Sequence, residues 1–379
     1  MTWFIDKMEM HQEYPEGGLP VVGKHGVLRR DIATGEVVSD SVSSFKHEGS
    51  YSSSIQIRST GHSVTIIGNP SRFNRSENLF GFTTIEECTQ VYNHILASHG
   101  LPPFTRCTKV FHSQTPENER SRLVTDGATI RHLDWTRNHM VGQGREYAYL
   151  KALSGQTISR SLEPHLYPNG ATVDWKNPRT SLKGKGSGYR YDKVYIKAKD
   201  LKSHRNQRLK NASAEEVIYY DRLIEYCQDN GIVREEQSKK SPFLKKHKLA
   251  YYGLCSEVDF LPHLMDIEMA QKRLEVIHMT YEQIAEQLIE QGICKSRQSA
   301  NATEGYFLKW LHGVHIDKSK TQYFEHRNRL LQLGFDISIQ HDGTIPRLQV
   351  RSSDVIDLRL ATPPNWYRSA QVYQLRAVA

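Results

Sequence analysis

The sequence predicts an α+β protein: a mainly antiparallel sheet with helices packed on it, followed by a smaller, mostly helical C-terminal region. Three observations lead there. Residues 1–80 read as short strands broken by Pro15, Gly17, Gly18, Pro20, Gly23 and Gly26. Helix-like and strand-like segments then alternate as far as Glu236, and beyond about residue 240 the pattern turns helical. At 379 residues the chain is long for one core. The expected division is residues 1–240, an α+β domain carrying the chemistry, and 241–379, helical with a closing strand. The boundary falls between 240 and 265.

The elements follow in order. "SIQIRS" (54–59) and "SVTIIG" (63–68) have strand character. Thr84 and Glu87 make a capping box that opens a helix, with Ile85, Cys88, Val91 and Ile95 as its stripe and Gly100 as its end. "ATIRHLDWT" (128–136) reads as a strand and 138–154 as a helix. Pro168-Asn169-Gly170 marks a turn before the strand "ATVDW". In "DKVYIKAK" (192–199), Val194, Ile196 and Ala198 alternate with Lys193, Tyr195, Lys197 and Lys199, which places Tyr195 and Lys197 on one polar face. Ser213 with Glu216 opens a helix that Gly231 closes, and "IVREE" is the next strand. "YEQIAEQLIEQGI" and "ATEGYFLKWLHG" read as two helices joined by a polar turn, either a DNA-reading helix pair or two helices completing a core. The sparse cations there (Lys295, Arg297, Lys309) favour the core. "RLQVRSSDVIDLRL" (347–360) is strand-like.

The charge of +8 is concentrated. Between Lys176 and Lys210 stand 12 basic residues against only Asp192 and Asp200, so that stretch carries +10 and the rest of the chain −2. Such a segment is either a solvated loop or a polyanion site, nucleic acid being the commonest polyanion. Tyr189, Tyr191 and Tyr195 interleave with the cations and can stack on unpaired bases. Lys183, Lys185, Arg190, Lys193, Lys199 and Lys202 are the candidate DNA contacts. With a mean hydropathy of −0.60 and no long uncharged apolar run, a membrane span is not expected. Met1–Lys7 carries no signal pattern. The five cysteines form no Cys-x-x-Cys pair, which argues against a disulfide scaffold or a cysteine-rich zinc site and for a reducing compartment.

Three strands carry reactive groups. His132 and Asp134 leave one side of their strand and can bind a divalent ion; a plain surface hydrogen bond is the alternative. Tyr195 has Lys197 beside it. A phenol of pKa near ~10 needs a neighbouring cation or metal to attack a phosphate at neutral pH. In Arg234-Glu235-Glu236, Glu236 is a further ligand candidate, or half of a strand-end salt bridge. Phosphate-loop, HExxH, GxSxG and GxGxxG patterns do not occur, and no two histidines flank a single residue.

At these residues the chain resembles a known family, the replication initiators of filamentous bacteriophages (gene II nicking-closing endonucleases). "GNPSRFNRSENLFG" (68–81) is similar to the family's Gly-Asn-Pro…Asn-x-Phe-Gly block, and "TIRHLD" to its strand ending in Arg-hydrophobic-Asp. "VYIKAKD" is similar to the segment where the nucleophilic tyrosine precedes lysine by two residues, and "GIVREEQSKK" to the Gly-hydrophobic-Val-Arg-x-Glu block. "IPRLQVRSSDVIDLRLATPPNWYR" matches the closing strand and Pro-x-Trp-Tyr, here Pro364, Trp366 and Tyr367. The blocks occur in the family's order along nearly the whole chain.

The resemblance implies a rolling-circle initiator-like nuclease domain and origin-specific nicking of one strand of double-stranded replicative DNA. Tyr195 would form a covalent 5′-phosphotyrosine link, assisted by Lys197, and the displaced strand would be rejoined. Asp134 and Glu236 would help hold Mg²⁺ or Mn²⁺. Asp200, standing where relatives carry glutamate, is a further ligand candidate, and His132, where relatives tend to have arginine, would serve metal or phosphate. Glu235 replaces an apolar residue, which leaves open which of the two glutamates faces the site. Implied partners are origin DNA, single-stranded DNA and a host replicative helicase, in the bacterial cytoplasm, with no membrane and with an oligomer on DNA allowed. The rival reading is a non-catalytic sequence-specific DNA-binding protein, a phage repressor or origin binder; a single-strand binder without sequence preference is a third.

Overall fold

Strand β9 (Thr129–Met140) is the spine of the sheet, and its two main neighbours are more than two hundred residues apart in the chain. The computed structural model describes residues 3–23, 25–115, 118–159, 161–177, 188–276, 284–311, 313–339 and 358–372. On one side β9 pairs with β1 (Phe4–Glu13), followed outward by β6 (Ser63–Gly68), β5 (Ser54–Ser59) and β4 (Phe45–Glu48). On the other it pairs with β13 (Ile232–Lys240), followed by β12 (Arg190–Ile196), β11 (Thr172–Lys176) and β10 (Glu163–Leu166). The short β14 (Arg359–Leu360) adds to the end of β9. These pairings are all antiparallel, and the fold is the expected α+β type. Two hairpins stand apart, β2 (Gly26–Arg30) with β3 (Val37–Val42) and β7 (Val110–Thr115) with β8 (Asn118–Thr125).

Helix α1 (Ile85–Ala97) forms as its cap predicts, with the Thr84–Glu87 box closed and Ile85, Cys88, Val91 and Ile95 buried. Two expectations fail. The segment 138–154 is not one helix, because Asn138, His139 and Met140 stay extended to pair with Arg234, Val233 and Ile232; helix α2 (Glu146–Leu153) starts later. Nor does β12 continue through Lys199. Its pairings end at Tyr195 with Thr172 and at Ile196 with Val233, and Lys197 opens helix α3 (Lys197–Arg208). With no strand beside it the chain follows its helix formers, with Asp200 in the first turn and Arg205 and Arg208 in the last, where the helix dipole favours them. Helix α4 (Ala214–Asp229) is capped by Ser213, and the chain then turns at Gly231, whose φ of +58° and closeness to the Gly142 carbonyl exclude a side chain.

Near residue 240 the secondary structure changes but the core does not. Phe243 and Leu244 of helix α5 (Ser241–Lys246), then Tyr252 and, from α6 (Glu257–Phe260), Phe260 join Ile5, Met8, Ile57, Ile66 and Trp135. A second core lies among β11 to β13 and α2 to α4, and it includes Ile267 and Ala270 of α7 (Asp266–Val276). A third belongs to α8 (Ile284–Glu290), α9 (Arg297–Leu311) and α10 (Thr321–Gln332), where Ile284, Leu288, Phe307, Trp310 and Leu330 meet. The apolar stripes of α8 and α9 are thus spent on a core. Most of the strand-like 347–360 lies outside the described residues.

Beneath β9, β12 and β13 lies a buried polar layer. Glu235, fully buried, accepts from Arg137 Nε at 2.7 Å and Gln237 Nε2 at 2.7 Å and stands 3.0 Å from His139 Nε2. Burial pushes its carboxyl up, but Arg137 and His139 outweigh that and hold it at about 2. A carboxyl whose folded pKa is depressed stabilises fully above its unfolded value of ~4.3, and that contribution fades as pH falls toward the folded value. We therefore expect the urea midpoint to fall between roughly pH 4.5 and 2, a limb that Glu235→Gln flattens. At neutral pH Glu235→Ala should cost about 3 kcal/mol, because it takes from the buried Arg137 guanidinium its buried counter-ion and leaves only Glu268, at 3.2 Å.

Candidate active site

Strand alternation builds the site. Tyr191, Lys193 and Tyr195 leave the same face of β12; across the register Tyr195 lies opposite Arg234 and Lys193 opposite Glu236. Glu236 is in turn opposite Thr136, and Ser238 opposite Asp134, which brings Asp134, Glu236 and Tyr195 to one face. Glu235 points to the other face, into the polar layer, so Glu236 is the glutamate on Tyr195's side.

The Tyr195 hydroxyl donates to Glu236 Oε2 at 3.3 Å, and Lys193 Nζ holds Glu236 Oε1 at 2.8 Å. His132 Nε2 is 2.7 Å from Asp134 Oδ1. Lys197, 1% exposed at the start of α3, has its Nζ 2.7 Å from Asp200 Oδ2, 3.5 Å from Asn78 Oδ1 and 5.9 Å from the Tyr195 ring centre. Arg234 is wholly buried; its Nη2 donates to the carbonyls of Asn78 and Leu79, both at 2.7 Å, and its Nε to Asn138 Oδ1 at 2.9 Å. In front of Tyr195 a cleft of about 510 Å³ is lined by Tyr167, Tyr191, Lys193, Lys199 and Asp200.

The electrostatics are those of a crowded, partly desolvated site. Burial, then the Glu236 charge, pushes the Tyr195 phenol well above its ordinary value. Burial also raises the Glu236 carboxyl; Lys193 opposes this, while Asp6 and Asp134 add to it. Lys197 is lowered by burial and by Arg234. Asp200 is pushed up by burial, yet Lys197 holds it well below the usual carboxylate range.

The sequence candidates therefore part company. Tyr195, Lys197, Asp134, His132 and Glu236 are placed on or beside one face. Asp200 lines the cleft, but its carboxylate is taken by Lys197 and lies 3.4 Å from His204, rather than joining Asp134 and Glu236. Arg190 is not a surface DNA contact: it leaves the opposite face of β12 and binds Asp192 and Asp266, each at 2.6 Å. Lys193 is engaged by Glu236, whereas Lys199 and Lys202 are exposed on α3. Lys183 and Lys185 lie outside the described residues. The sequence reading missed Asp6, which accepts from Asn69 Nδ2 at 2.9 Å and from Asn78, and it gave Arg234 and Asn78 no role. A carboxylate within the apolar start of β1 was the available signal for Asp6.

Among the described residues no three His, Cys, Asp or Glu side chains form a ready-made metal cage. Asp134 and Glu236 are hard oxygen donors, and with Asp6 they gather negative charge that Lys193 offsets only in part. That donor set fits Mg²⁺ or Mn²⁺, and Mg²⁺ commonly takes one or two carboxylates and keeps several waters.

Fold and site together define an α+β protein with a tyrosine, carboxylates and lysines converging on one sheet face. The family model for the N-terminal part of the phage replication-associated protein, the gene II product, matches residues 12–257, and the model for its C-terminal part matches 288–372. A relative, the gene II replication-associated protein of Escherichia phage If1, is 37% identical over 319 residues, covering 83% of this chain and 96% of its own. No solved structure matches. The chain belongs to this family of phage replication-associated proteins. Among the described residues no helix is long and apolar enough to cross a membrane.

Asp200→Asn should destabilise the protein by roughly 3 kcal/mol, since it leaves the buried Lys197 ammonium without its counter-ion. The double variant Asp200→Asn/Lys197→Met should recover much of that loss; urea unfolding of the three proteins measures both effects.

Proposed function

We propose that this protein initiates rolling-circle replication of a phage genome by nicking one strand at the origin and later rejoining the displaced strand. The observation that carries this reading is Tyr195, set in a cleft and hydrogen-bonded to Glu236, on the face that also holds Lys193 and Asp134, in a chain of this family. A protein that only binds DNA has no use for a nucleophile and two partly neutralised carboxylates gathered there.

In the reaction, the Tyr195 oxygen attacks the scissile phosphorus and the bond from phosphorus to the 3′ oxygen breaks. The 3′ strand leaves as a hydroxyl, and the 5′ phosphate becomes joined to the tyrosine. Glu236 Oε2, which already accepts from the phenol, is the exit for its proton. Lys197, fixed by Asp200 and Asn78, supplies positive charge beside the tyrosine as the phosphate gains charge. Asp134 and Glu236, with His132 orienting Asp134, are the residues that would hold Mg²⁺ or Mn²⁺; the ion when bound polarises the phosphate oxygens. Because the phosphotyrosine link conserves the phosphodiester, return of a 3′ hydroxyl rejoins the strand without ATP. Exposed Lys199 and Lys202 guide the backbone toward the cleft, with affinity falling steeply as salt rises. Partners on this reading are duplex origin DNA, the unpaired strand and a host helicase, with assembly of several copies on the origin left to the DNA.

Supercoiled replicative DNA incubated with Mg²⁺ and quenched in detergent tests this. The expected product is a nicked circle holding protein on one 5′ end through a Tyr195 phosphopeptide, abolished by EDTA. Tyr195→Phe should keep origin binding and lower cleavage by more than about 10⁴-fold. Undiminished nicking by that variant would remove Tyr195 as nucleophile; origin binding without nicking by the native protein would instead leave a repressor.

A further inference from the structure

The three tyrosines that interleave with the basic stretch have different surroundings. Tyr189 packs on Phe243, ring centres 5.1 Å apart, and its hydroxyl lies 3.3 Å from His247 Nε2. Tyr195 is the proposed nucleophile. Tyr191, half-buried, lines the same cleft of about 510 Å³, and its ring has no aromatic or cationic neighbour among the described residues. It stands four residues before Tyr195 on one strand face, about 14 Å away at ~3.4 Å per residue. A further ring, Tyr167, lines the cleft from the edge of the sheet, where its backbone N–H donates to the Thr172 carbonyl at 2.9 Å. Thr172 is opposite Tyr195, so Tyr167 lies about 10 Å across the sheet from the nucleophile.

One carboxylate fixes both rings. Asp174 of β11 is wholly buried, and its Oδ2 accepts from the Tyr191 hydroxyl at 2.6 Å and from the Tyr167 hydroxyl at 3.2 Å. Lys176 Nζ lies 2.8 Å from the same oxygen, and His165 Nδ1 lies 3.3 Å from Oδ1. Lys176 Nζ is also 5.0 Å from the Tyr167 ring centre, and the His165 ring meets that ring edge-on at 5.1 Å. A buried charged pair is weak support for stability, because apolar residues of similar volume often do as well. The core of these strands is in any case made on their other face, by Val173, Trp175 and Val194. What the network achieves is to hold two phenol rings at the cleft wall with their hydroxyls engaged. Burial, then Asp174, pushes the Tyr191 phenol above its ordinary value, so it remains a donor. Lys193 is paired with Glu236, Asp200 with Lys197 and Asp174 with Lys176, which leaves Lys199 as the cleft's cation without a carboxylate among the described residues.

We propose that Tyr191, with Tyr167 beside it, seats one base of the unpaired DNA strand, a nucleotide or two from the phosphate that Tyr195 attacks, and that Asp174 is the positioning residue that holds the two rings. The proposal rests on the reading of Tyr195 as a nucleophile acting on DNA. A ring whose hydroxyl is already engaged offers its face rather than a hydrogen bond, which suits stacking on any base. A ring held in place before contact loses little freedom on binding. A base seated there anchors the strand on one side of the scissile phosphate and so keeps that phosphate at the tyrosine.

Full-length protein in EDTA, where cleavage does not intervene, and two fluorescein-labelled probes test this: an oligothymidylate and an abasic strand of equal length. The native protein should bind the oligothymidylate more tightly. Tyr191→Ala should weaken oligothymidylate binding roughly 5- to 100-fold and leave binding of the abasic strand as it was. Tyr191→Phe, which keeps the ring, should restore most of the lost affinity. Asp174→Ala should lower the ratio of the two affinities, and Asp174→Asn, which keeps an oxygen acceptor for the hydroxyls, should recover part of it. A carboxylate that only braces the sheet would move the urea midpoint and leave the ratio alone. Equal losses on both probes with Tyr191→Ala, or no loss on either, overturn the proposal. A ratio that collapses in a protein unable to nick upholds the base seat without the nuclease reading. Nicking by a protein whose ratio Tyr191→Ala does not touch overturns the seat and leaves the nuclease reading standing.

Discussion

The arrangement around Tyr195 depends on one buried cation. Arg234 lies opposite Tyr195 on the neighbouring strand, with no exposure, and its hydrogen bonds go to three neutral oxygens. Its Nη1 has no hydrogen-bond partner among the described residues. Removing a guanidinium from water costs several kcal/mol unless charge nearby offsets it. The charges that do so belong to the site itself: Tyr195 when ionised, Asp6, Asp200 and Glu236. Two carbonyls of the segment 69–80, those of Asn78 and Leu79, hold this cation. Asn78 offers its carbonyl to Arg234 and its side chain to Lys197 and Asp6. The far end of the chain locks that segment, since Tyr367 binds Glu77 at 3.1 Å and the Phe80 carbonyl at 2.8 Å. The Asn-x-Phe-Gly and Pro-x-Trp-Tyr blocks, nearly three hundred residues apart, are thus two halves of one support.

Adjacent glutamates on β13 illustrate how a sheet divides labour. Glu235 and Glu236 differ by one position and so face opposite sides. One is consumed by Arg137 and His139 in the layer under α7, and the other meets Tyr195 and Lys193 in the cleft. The lower layer is a rigid polar floor that fixes the register of β9, β12 and β13, because a slip of one residue would exchange the two carboxylates. Arg190 belongs to that floor, which is why a cation from the most basic part of the sequence is unavailable to DNA.

Much was legible locally. The Thr84–Glu87 cap, the Pro168–Gly170 turn, the alternation of β5 and β6 and the end of α4 at Gly231 all involve residues a few positions apart, whose preferences act within one turn or one strand. The misplacements share one cause: where β9 continued and β12 stopped was decided by the presence or absence of a neighbouring strand, which no local pattern records.

The sequence by itself determined the α+β class, the basic stretch, the order of the family's blocks and the strands that carry Asp134, Tyr195 and Glu236. Tertiary structure alone decided that Glu236 rather than Glu235 joins Tyr195, and that Asp6, Asn78 and Arg234 complete the surroundings. The physical reason is that side-chain chemistry and period are local properties of the chain, whereas a buried charge finds its partner through strand register and loop contacts across scores of residues.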